Sequence, residues 1–137
     1  MKVLIDTNIV LDVLLERRPF AAAAAEIFSL AEQARLEGFL CATTITTIDC
    51  LLVKSLPPRA ARSALRKLLS LFEIAPVNRA VIDRALAGKV SDFEDAVLAS
   101  AGQIIGVDCL ITRNAKDFAR SGLKVFDPAE FLVLFGK

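Results

Sequence analysis

Short apolar segments alternate with longer helical patterns along this chain, and that alternation constrains the fold more than any other feature. Five segments are rich in β-branched or aliphatic residues and short enough for buried strands, while those between them place apolar residues at helical spacing. Strands that alternate with helices pair in parallel and are covered by helices on both faces. The sequence therefore predicts an α/β fold, a three-layer α/β/α sandwich around a five-stranded parallel sheet, in a single domain over residues 1–137. The predicted strands are Val3–Ile5, Gly38–Thr43, Phe72–Val77, Asp108–Arg113 and Leu123–Pro128.

The predicted helices fill most of the remaining chain. An alanine run supports the second helix, and a pair of prolines begins the fourth. A Ser followed three residues later by Glu, at Ser91 and Glu94, indicates a capping box at the start of the sixth. These helices are Ile9–Arg17, Pro19–Glu37, Thr44–Ser55, Pro57–Leu69, Arg79–Ala87, Ser91–Ile105 and an apolar C-terminal helix, Pro128–Phe135.

Composition excludes several classes of function. The chain has no histidine, which removes His-based triads, His general bases and the usual zinc sites. It has no Gly-rich phosphate loop, and its three cysteines lie in apolar segments, where they are interpreted as small buried side chains. The formal net charge is +1, so only local patches could hold a nucleic acid. If the protein is an enzyme, carboxylates, hydroxyls and a metal ion must carry the chemistry.

Nothing in the sequence indicates a membrane protein or a secreted one. No apolar run approaches the length of a membrane span, and the N-terminus lacks the layout of a signal peptide. We therefore expect a cytoplasmic protein with no membrane partner.

Asp6 directly follows the first apolar strand, at the point where the chain must leave the sheet. Open α/β sheets place their chemistry at the carboxyl ends of the strands, which favours a functional role for this carboxylate. A helix cap is the alternative, because Asp, Thr and Asn are ordinary caps and a helix is predicted from Ile9.

Asp49 lies within the apolar positions of the third predicted helix. It is four residues after Ile45 and three before Leu52, so it falls in the stripe that faces the core. An unpaired buried carboxylate is costly, so Asp49 needs a cation, a hydrogen-bond donor or a proton. Alternatively, Asp49 lies at the edge of the stripe and pairs with an arginine.

Further carboxylates cluster at the start of the sixth predicted helix. Asp92 and Glu94 fit the first turn, where the helix dipole favours anions, but Asp95 sits among small apolar residues and is explained less well. Near the chain end, Thr112 closes another strand, and Asn114 and Asp117 follow it. Because parallel strands end at one sheet edge, these acidic segments can converge there. Carboxylates gathered without His or Cys favour Mg²⁺ or Mn²⁺ as the neutralising ion.

The pattern resembles the PIN domain, the fold of many bacterial toxin ribonucleases of the VapC kind. The resemblance rests on "LIDTN", "TTID", "DFEDAVLASA" and "LITRNAKDF", which follow one another in the order and spacing of that family. It implies a compact α/β/α fold with strand order 3-2-1-4-5 and an acidic, metal-binding cleft that cuts RNA. Asp6 matches the first acid of the family, Asp49 the second and Asp95 the third, and Asp92 is an additional acid one turn before Asp95.

Two positions depart from the family pattern. The second acid is usually Glu, and Asp49 is one methylene shorter. Asn114 holds the place of the fourth acid and brings no charge, although Asp117 can compensate if that turn is helical. The number of metal ions, one or two, is therefore left open.

The function implied by the resemblance is a Mg²⁺- or Mn²⁺-dependent endoribonuclease, the toxin of a toxin–antitoxin pair. Asp6 and Asp95 would hold the metal ion directly, Asp49 directly or through water, and Asp92 would add a further oxygen. Basic residues would contact the RNA backbone, although a solvated helix face is the alternative for those of the fourth helix. The residues expected to orient the carboxylates are Thr7, Asn8, Thr112, Asn114 and Asp117, and the expected RNA contacts are Arg59, Arg62, Arg66, Arg113, Lys116 and Arg120.

Two other classes of function were weighed. Aspartyl-phosphate phosphatases also begin with a strand that ends in Asp, but they need a second Asp where this chain has Asn8. A catalytically weakened PIN-like module for protein binding is the other alternative, since Asn114 reduces the charge of the site. The apolar segments Ala21–Leu30 and Phe131–Phe135 would then suit a homodimer or an antitoxin contact, or else they belong to the core.

Overall fold

The computed structural model describes residues 1–135 and confirms the predicted three-layer α/β/α fold. All five strands pair in parallel in one sheet, in the order β3-β2-β1-β4-β5, which is the order implied by the resemblance. The strands are β1 (Lys2–Ile5), β2 (Glu37–Cys41), β3 (Glu73–Ala75), β4 (Cys109–Ile111) and β5 (Val125–Phe126). The helices are α1 (Thr7–Leu14), α2 (Ala21–Glu32), α3 (Ala42–Leu52), α4 (Pro58–Leu71), α5 (Arg79–Ala87), α6 (Phe93–Ile105) and α7 (Pro128–Phe135), with a 3-10 helix at Ala115–Phe118.

The central strand β1 separates two apolar cores. Its side chains alternate between the faces of the sheet, so Val3 and Ile5 pack with α1, α2, α3, α4 and α7, while Leu4 packs with α5 and α6. Gly102 allows α6 to lie close to the sheet, because a Cβ atom there would come within 2.7 Å of Leu4 Cδ2. Both faces of β1 are thereby fixed against helices, which holds the residue that follows it in a defined place.

The pairing of β1 with β4 brings two polar residues together at the carboxyl edge of the sheet. Ile5 lies opposite Ile111, so Asp6 and Thr112 follow at equivalent positions. The backbone N–H of Asp6 donates to the Ile111 carbonyl at 3.0 Å, and that of Thr112 donates to the Phe126 carbonyl at 2.9 Å. The predicted convergence of strand ends at one edge is therefore present for this pair.

Several element boundaries differ from the prediction. Helix α2 ends at Glu32, five residues before the predicted end, because Ala34 adopts a left-handed conformation with φ of 57°. Glycine is the usual residue there, so an alanine gives no signal in the sequence. Helix α3 begins at Ala42, two residues earlier than predicted, since β2 already ends at Cys41.

The cap of α6 is also different. The helix begins at Phe93, and the side chain of Asp92, not Ser91, accepts from the backbone N–H of Asp95 at 3.0 Å. The predicted capping box was wrong by one residue, because Asp92 occupies the N-cap position itself.

Two further expectations concern individual residues and the surface. Cys41 and Cys109 are buried as predicted, but Cys50 is exposed on α3. Within residues 1–135, no helix combines the length and the apolar character that crossing a bilayer requires.

Candidate active site

A cleft of about 300 Å³ opens at the carboxyl edge of the sheet, and we call it the acidic cleft. Five carboxylates line it, and they come from the end of β1, the start of α6 and the 3-10 helix. Polar groups from α1 and α3 complete the wall. The lining carboxylates are Asp6, Asp92, Glu94, Asp95 and Asp117, and the other lining residues are Thr7, Asn8, Leu11, Thr43, Thr47, Leu51, Leu98 and Asn114.

Asp6 is the most deeply placed of these carboxylates, with 6% of its surface exposed. Its Oδ1 accepts from the Thr7 backbone N–H at 2.8 Å, and its Oδ2 accepts from Thr112 Oγ1 at 2.7 Å. Burial raises the pKa of Asp6, and the hydrogen bonds from Thr112 and Thr7 act against that rise. Asp6 is thus the N-cap of α1 and a wall of the cleft at once, so the two interpretations of this residue are compatible.

The hydroxyl of Thr112 connects Asp6 to the segment after β4. Thr112 is fully buried, and its Oγ1 donates to Asp6 while accepting from the backbone N–H of Asn114 at 3.0 Å. On the opposite wall, the hydroxyls of Thr7 and Thr44 lie 2.9 Å apart and connect α1 to α3. These contacts fix the direction in which the Asp6 carboxylate points.

Asp95 lies partly buried in the first turn of α6, and its pKa is affected by every other carboxylate of the cleft. Burial, followed by the negative charges of Asp92, Asp6, Asp117 and Glu94, raises the pKa of Asp95 to about 6. A carboxyl group perturbed both by burial and by neighbours of like charge is typical of functional sites. The charges of the four other carboxylates of the cleft therefore all act on Asp95.

The segment after β4 forms the predicted helical turn, as a 3-10 helix with Asn114 at its N-cap position. A 3-10 helix has about three residues per turn, so Asn114 and Asp117 lie on the same side and both line the cleft. Asp117 therefore supplies the charge that Asn114 lacks. Glu94 also lines the cleft, although only a capping role was predicted for it.

Asp49 does not line the acidic cleft. It lies in a separate depression beside Arg62 and Arg66 of α4. Residues of an α-helix are about 100° apart, so position 49 is turned about 200° from Thr47, which does line the cleft. The structure thus places Asp49 near arginines, as the alternative interpretation expected, but within residues 1–135 no ion pair of 4 Å or less joins Asp49 to an arginine.

Arg113 also points away from the cleft. Its guanidinium binds the fully buried Asp12 of α1, with Nε at 2.7 Å from Oδ2 and the terminal Nη2 at 3.1 Å from Oδ1. Its other face covers the ring of Phe20, 3.8 Å from the ring centroid. Arg113 therefore connects β4 to α1 and α2, and the sequence signal that predicts this pair is the acid Asp12 within an apolar helix.

The remaining basic candidates are spread over the surface. Arg62 and Arg66 lie beside Asp49, and Arg59 is exposed at the start of α4. Lys116 is exposed on the 3-10 helix, and Arg120 faces a different pocket, between α5 and α6.

The residues of the acidic cleft fit a hard divalent cation by their chemistry. The atoms that could bind a cation are oxygens, from carboxylates, hydroxyls and two side-chain amides, which suits Mg²⁺ or Mn²⁺. In the part of the chain that the structure describes, no three carboxylates lie close enough together to form a preformed metal cluster. Side-chain rotation would therefore have to accompany the binding of an ion.

The comparisons with known proteins agree with this fold. A family model of the PIN domain matches residues 2–116, and the chain therefore belongs to the PIN-domain family. No curated protein sequence matches the chain significantly.

Solved structures of toxin–antitoxin systems are similar over nearly the whole chain. A toxin–antitoxin complex from Klebsiella pneumoniae is 27% identical with a TM-score of 0.69, covering 92% of this chain and 97% of that one. VapBC2 from Rickettsia felis, bound to a DNA fragment from its promoter, is 18% identical with a TM-score of 0.71, covering 93% and 98%. FitAcB from Neisseria gonorrhoeae has the same identity, TM-score and coverage.

Proposed function

We propose that this protein is a metal-dependent endoribonuclease that hydrolyses phosphodiester bonds of RNA, and that it acts as the toxin of a toxin–antitoxin pair in the cytoplasm. The observation that carries the proposal is the acidic cleft, which brings carboxylates from three separate segments together and in which burial, followed by the charges of the other carboxylates, raises the pKa of Asp95 to about 6. A group of like charges at a sheet edge is unfavourable unless a cation neutralises it. Membership of the PIN-domain family supports a nuclease in particular.

The proposed ligands of Mg²⁺ or Mn²⁺ are Asp6, Asp95 and Asp92, with Asp117 in place of Asp49. We leave Asp49 out of the ligand set because its side chain lies in another depression. When bound, the ion would lower the pKa of a water molecule and neutralise charge on the phosphate. Thr112 and Thr7 would hold the Asp6 carboxylate in place through the hydrogen bonds described above.

Asn114 and Asn8 add neutral polar groups to the wall of the cleft. An amide both donates and accepts hydrogen bonds, so these side chains can orient a water molecule or a phosphate oxygen without adding negative charge. This arrangement tempers the repulsion between the cleft and an anionic substrate.

Cleavage of a single-stranded RNA tests the proposal. We expect cleavage with Mg²⁺ or Mn²⁺, none in EDTA, and a loss of about 100-fold or more for Asp6→Asn and Asp95→Asn. Asp83→Asn is the matched control, because Asp83 is exposed on α5 and its one ion pair within residues 1–135 is with Arg79. Cleavage that persists in EDTA would contradict the proposal, and so would wild-type rates of cleavage by both cleft variants. Metal binding without cleavage would favour the protein-binding alternative.

An antitoxin is the protein partner that the solved relatives suggest. A broad depression of about 690 Å³ lies beside α1 and α2 and is lined by Val13, Pro19 and alanines of α2. Val133 and Leu134 of α7 are also more than half exposed, so apolar surface is available in both segments proposed for partner binding. Co-expression with the product of the gene immediately upstream tests this, and we expect a co-purifying complex in which RNA cleavage is suppressed. A free, active protein under those conditions would contradict the antitoxin assignment, and its mass in solution would show whether a homodimer forms.

A further inference from the structure

A second pocket, separate from the acidic cleft, lies between α5, α6 and the segment after the 3-10 helix, and we call it the basic pocket. It has a volume of about 290 Å³, and three cationic side chains line it: Arg84, Lys89 and Arg120. None of its lining residues is a carboxylate, although the whole chain has nearly as many acids as bases. This concentration of positive charge predicts an anionic ligand.

Hydrogen bonds hold one of the cations in place over the pocket. Arg84 Nε donates to Gln103 Oε1 at 2.8 Å, and the Gln103 amide nitrogen in turn donates to the Ser121 carbonyl. This contact uses one of the five N–H donors of the guanidinium and leaves the two terminal amino groups for a ligand. A planar guanidinium fixed in this way is suited to bidentate contact with phosphate oxygens.

The charges of the pocket are not used in ion pairs. Over residues 1–135, Arg84, Lys89 and Arg120 lie beyond 4 Å from every carboxylate, whereas Arg17, Arg79 and Arg113 are paired. The floor of the pocket adds two serine side chains, Ser100 and Ser121, both largely buried. Cations and hydroxyls around a small concave space are the groups that bind phosphate.

The basic pocket and the acidic cleft have no lining residue in common, but they are lined by neighbouring residues of the same two segments. On α6, Asp95 faces the cleft, and the next residue, Ala96, faces the pocket, as does Ala99, four residues or ~6 Å beyond Asp95 along the axis. In the segment after β4, Asp117 of the 3-10 helix faces the cleft, and Arg120, two residues beyond that helix, faces the pocket. A polynucleotide chain that passes through the cleft therefore has a cationic site beside it.

We propose that the basic pocket binds one backbone phosphate of the RNA strand whose scissile bond lies in the acidic cleft. This assignment rests on the proposed function, and it explains how a cleft with five carboxylates can retain a polyanion. The cleft repels the strand, and phosphate contacts supply most of the affinity of proteins for nucleic acids. The arginines of α4 lie on another surface, where Arg62 and Arg66 line a depression together with Asp49.

Binding of a fluorescein-labelled single-stranded RNA, measured by fluorescence anisotropy in EDTA, tests the proposal without cleavage. The pocket variant combines Arg84→Gln, Lys89→Gln and Arg120→Gln. The control combines Lys54→Gln, Lys67→Gln and Lys124→Gln, which removes the same charge from three exposed lysines outside both the pocket and the cleft. Thermal melting of both proteins establishes that they fold.

We expect the pocket variant to bind RNA at least about tenfold more weakly, and the slope of log Kd against log salt to fall by about 0.7, the value for one phosphate in a single strand. The control should change the affinity less than about twofold. Wild-type affinity in the pocket variant, or equal losses in both variants, would overturn the proposal because the binding would then be non-specific.

Two further outcomes distinguish this inference from a small-anion site and from the proposed function itself. Inorganic phosphate should displace the RNA only at millimolar concentration. Displacement at micromolar concentration, together with normal RNA binding by the pocket variant, would assign the pocket to a small anion and overturn the proposal. Because the assay needs neither metal nor cleavage, a pocket-dependent loss of RNA binding supports the inference even if the wild-type protein fails to cut RNA. If the wild-type protein cleaves RNA and the pocket variant binds RNA with unchanged affinity, this inference is refuted but the proposed function is not.

Discussion

Removing the charge of Asp95 should stabilise the protein when no metal ion is present. Burial and four neighbouring carboxylates raise the pKa of Asp95 from 3.8 to about 6, about two units, and each unit corresponds to about 1.4 kcal/mol. The full shift would be about 3 kcal/mol, but the group is only partly buried, and solvent screening reduces the expected gain for Asp95→Asn to about 1 kcal/mol at pH 7. The Asp95 carboxylate makes no hydrogen bond within residues 1–135, so the substitution removes charge and little else.

The sign of the pH dependence follows from the direction of the shift. A raised pKa means that the folded state binds the proton more tightly, so the wild type loses stability as the pH rises from about 4 to about 6. The difference in the free energy of unfolding between Asp95→Asn and wild type should therefore be near zero at pH 4 and complete above pH 7. Urea unfolding in EDTA across this range measures it, with Glu26→Gln on α2 as the control for loss of one exposed charge. A constant difference across the range, or a destabilised variant at pH 7, would refute the reasoning.

Three further predictions concern single residues. Asn114→Asp should tighten Mn²⁺ binding about tenfold, measured by calorimetry, because it adds a charged oxygen to the wall of the cleft; unchanged affinity would place residue 114 outside the metal site. Arg113→Ala should lower the free energy of unfolding by about 3 kcal/mol in urea, since it leaves the buried carboxylate of Asp12 without its main partner; a loss below about 1 kcal/mol would count against this. Asp49→Asn should keep RNA cleavage within a few-fold of wild type, and a loss as large as that of Asp6→Asn would return Asp49 to the catalytic group.

The fold could be predicted because its signals are local and repeated. Short apolar strands alternate with helical segments, and the limits of α5 and α7 were predicted as the structure has them. The boundary of α2 could not be predicted, because it depends on a left-handed alanine that the surrounding packing imposes. Strand order was taken from the family resemblance, since periodicity alone does not determine which strands are neighbours.

The site was predictable only in part, for a geometric reason. Asp6 and Thr112 end adjacent parallel strands, so the topology brings them together at once. Residues on helices depend on the rotation of the helix about its axis, which the sequence does not fix to within one residue. On α3 the buried face consists of Thr44, Ile48 and Leu52, and this rotation directs Thr43 and Thr47 toward the cleft and Asp49 away from it.

Calorimetric titration of Mn²⁺ into the protein tests most directly whether the acidic cleft is a metal centre. We predict saturable binding to wild type, binding at least about tenfold weaker to Asp95→Asn and Asp6→Asn, and unchanged binding to Glu26→Gln. Binding should also weaken below pH 6, because the pKa of Asp95 is raised to about 6 and protons then compete with Mn²⁺ for its carboxylate. No saturable binding to wild type at neutral pH, or equal binding to all four proteins, would contradict the metal centre.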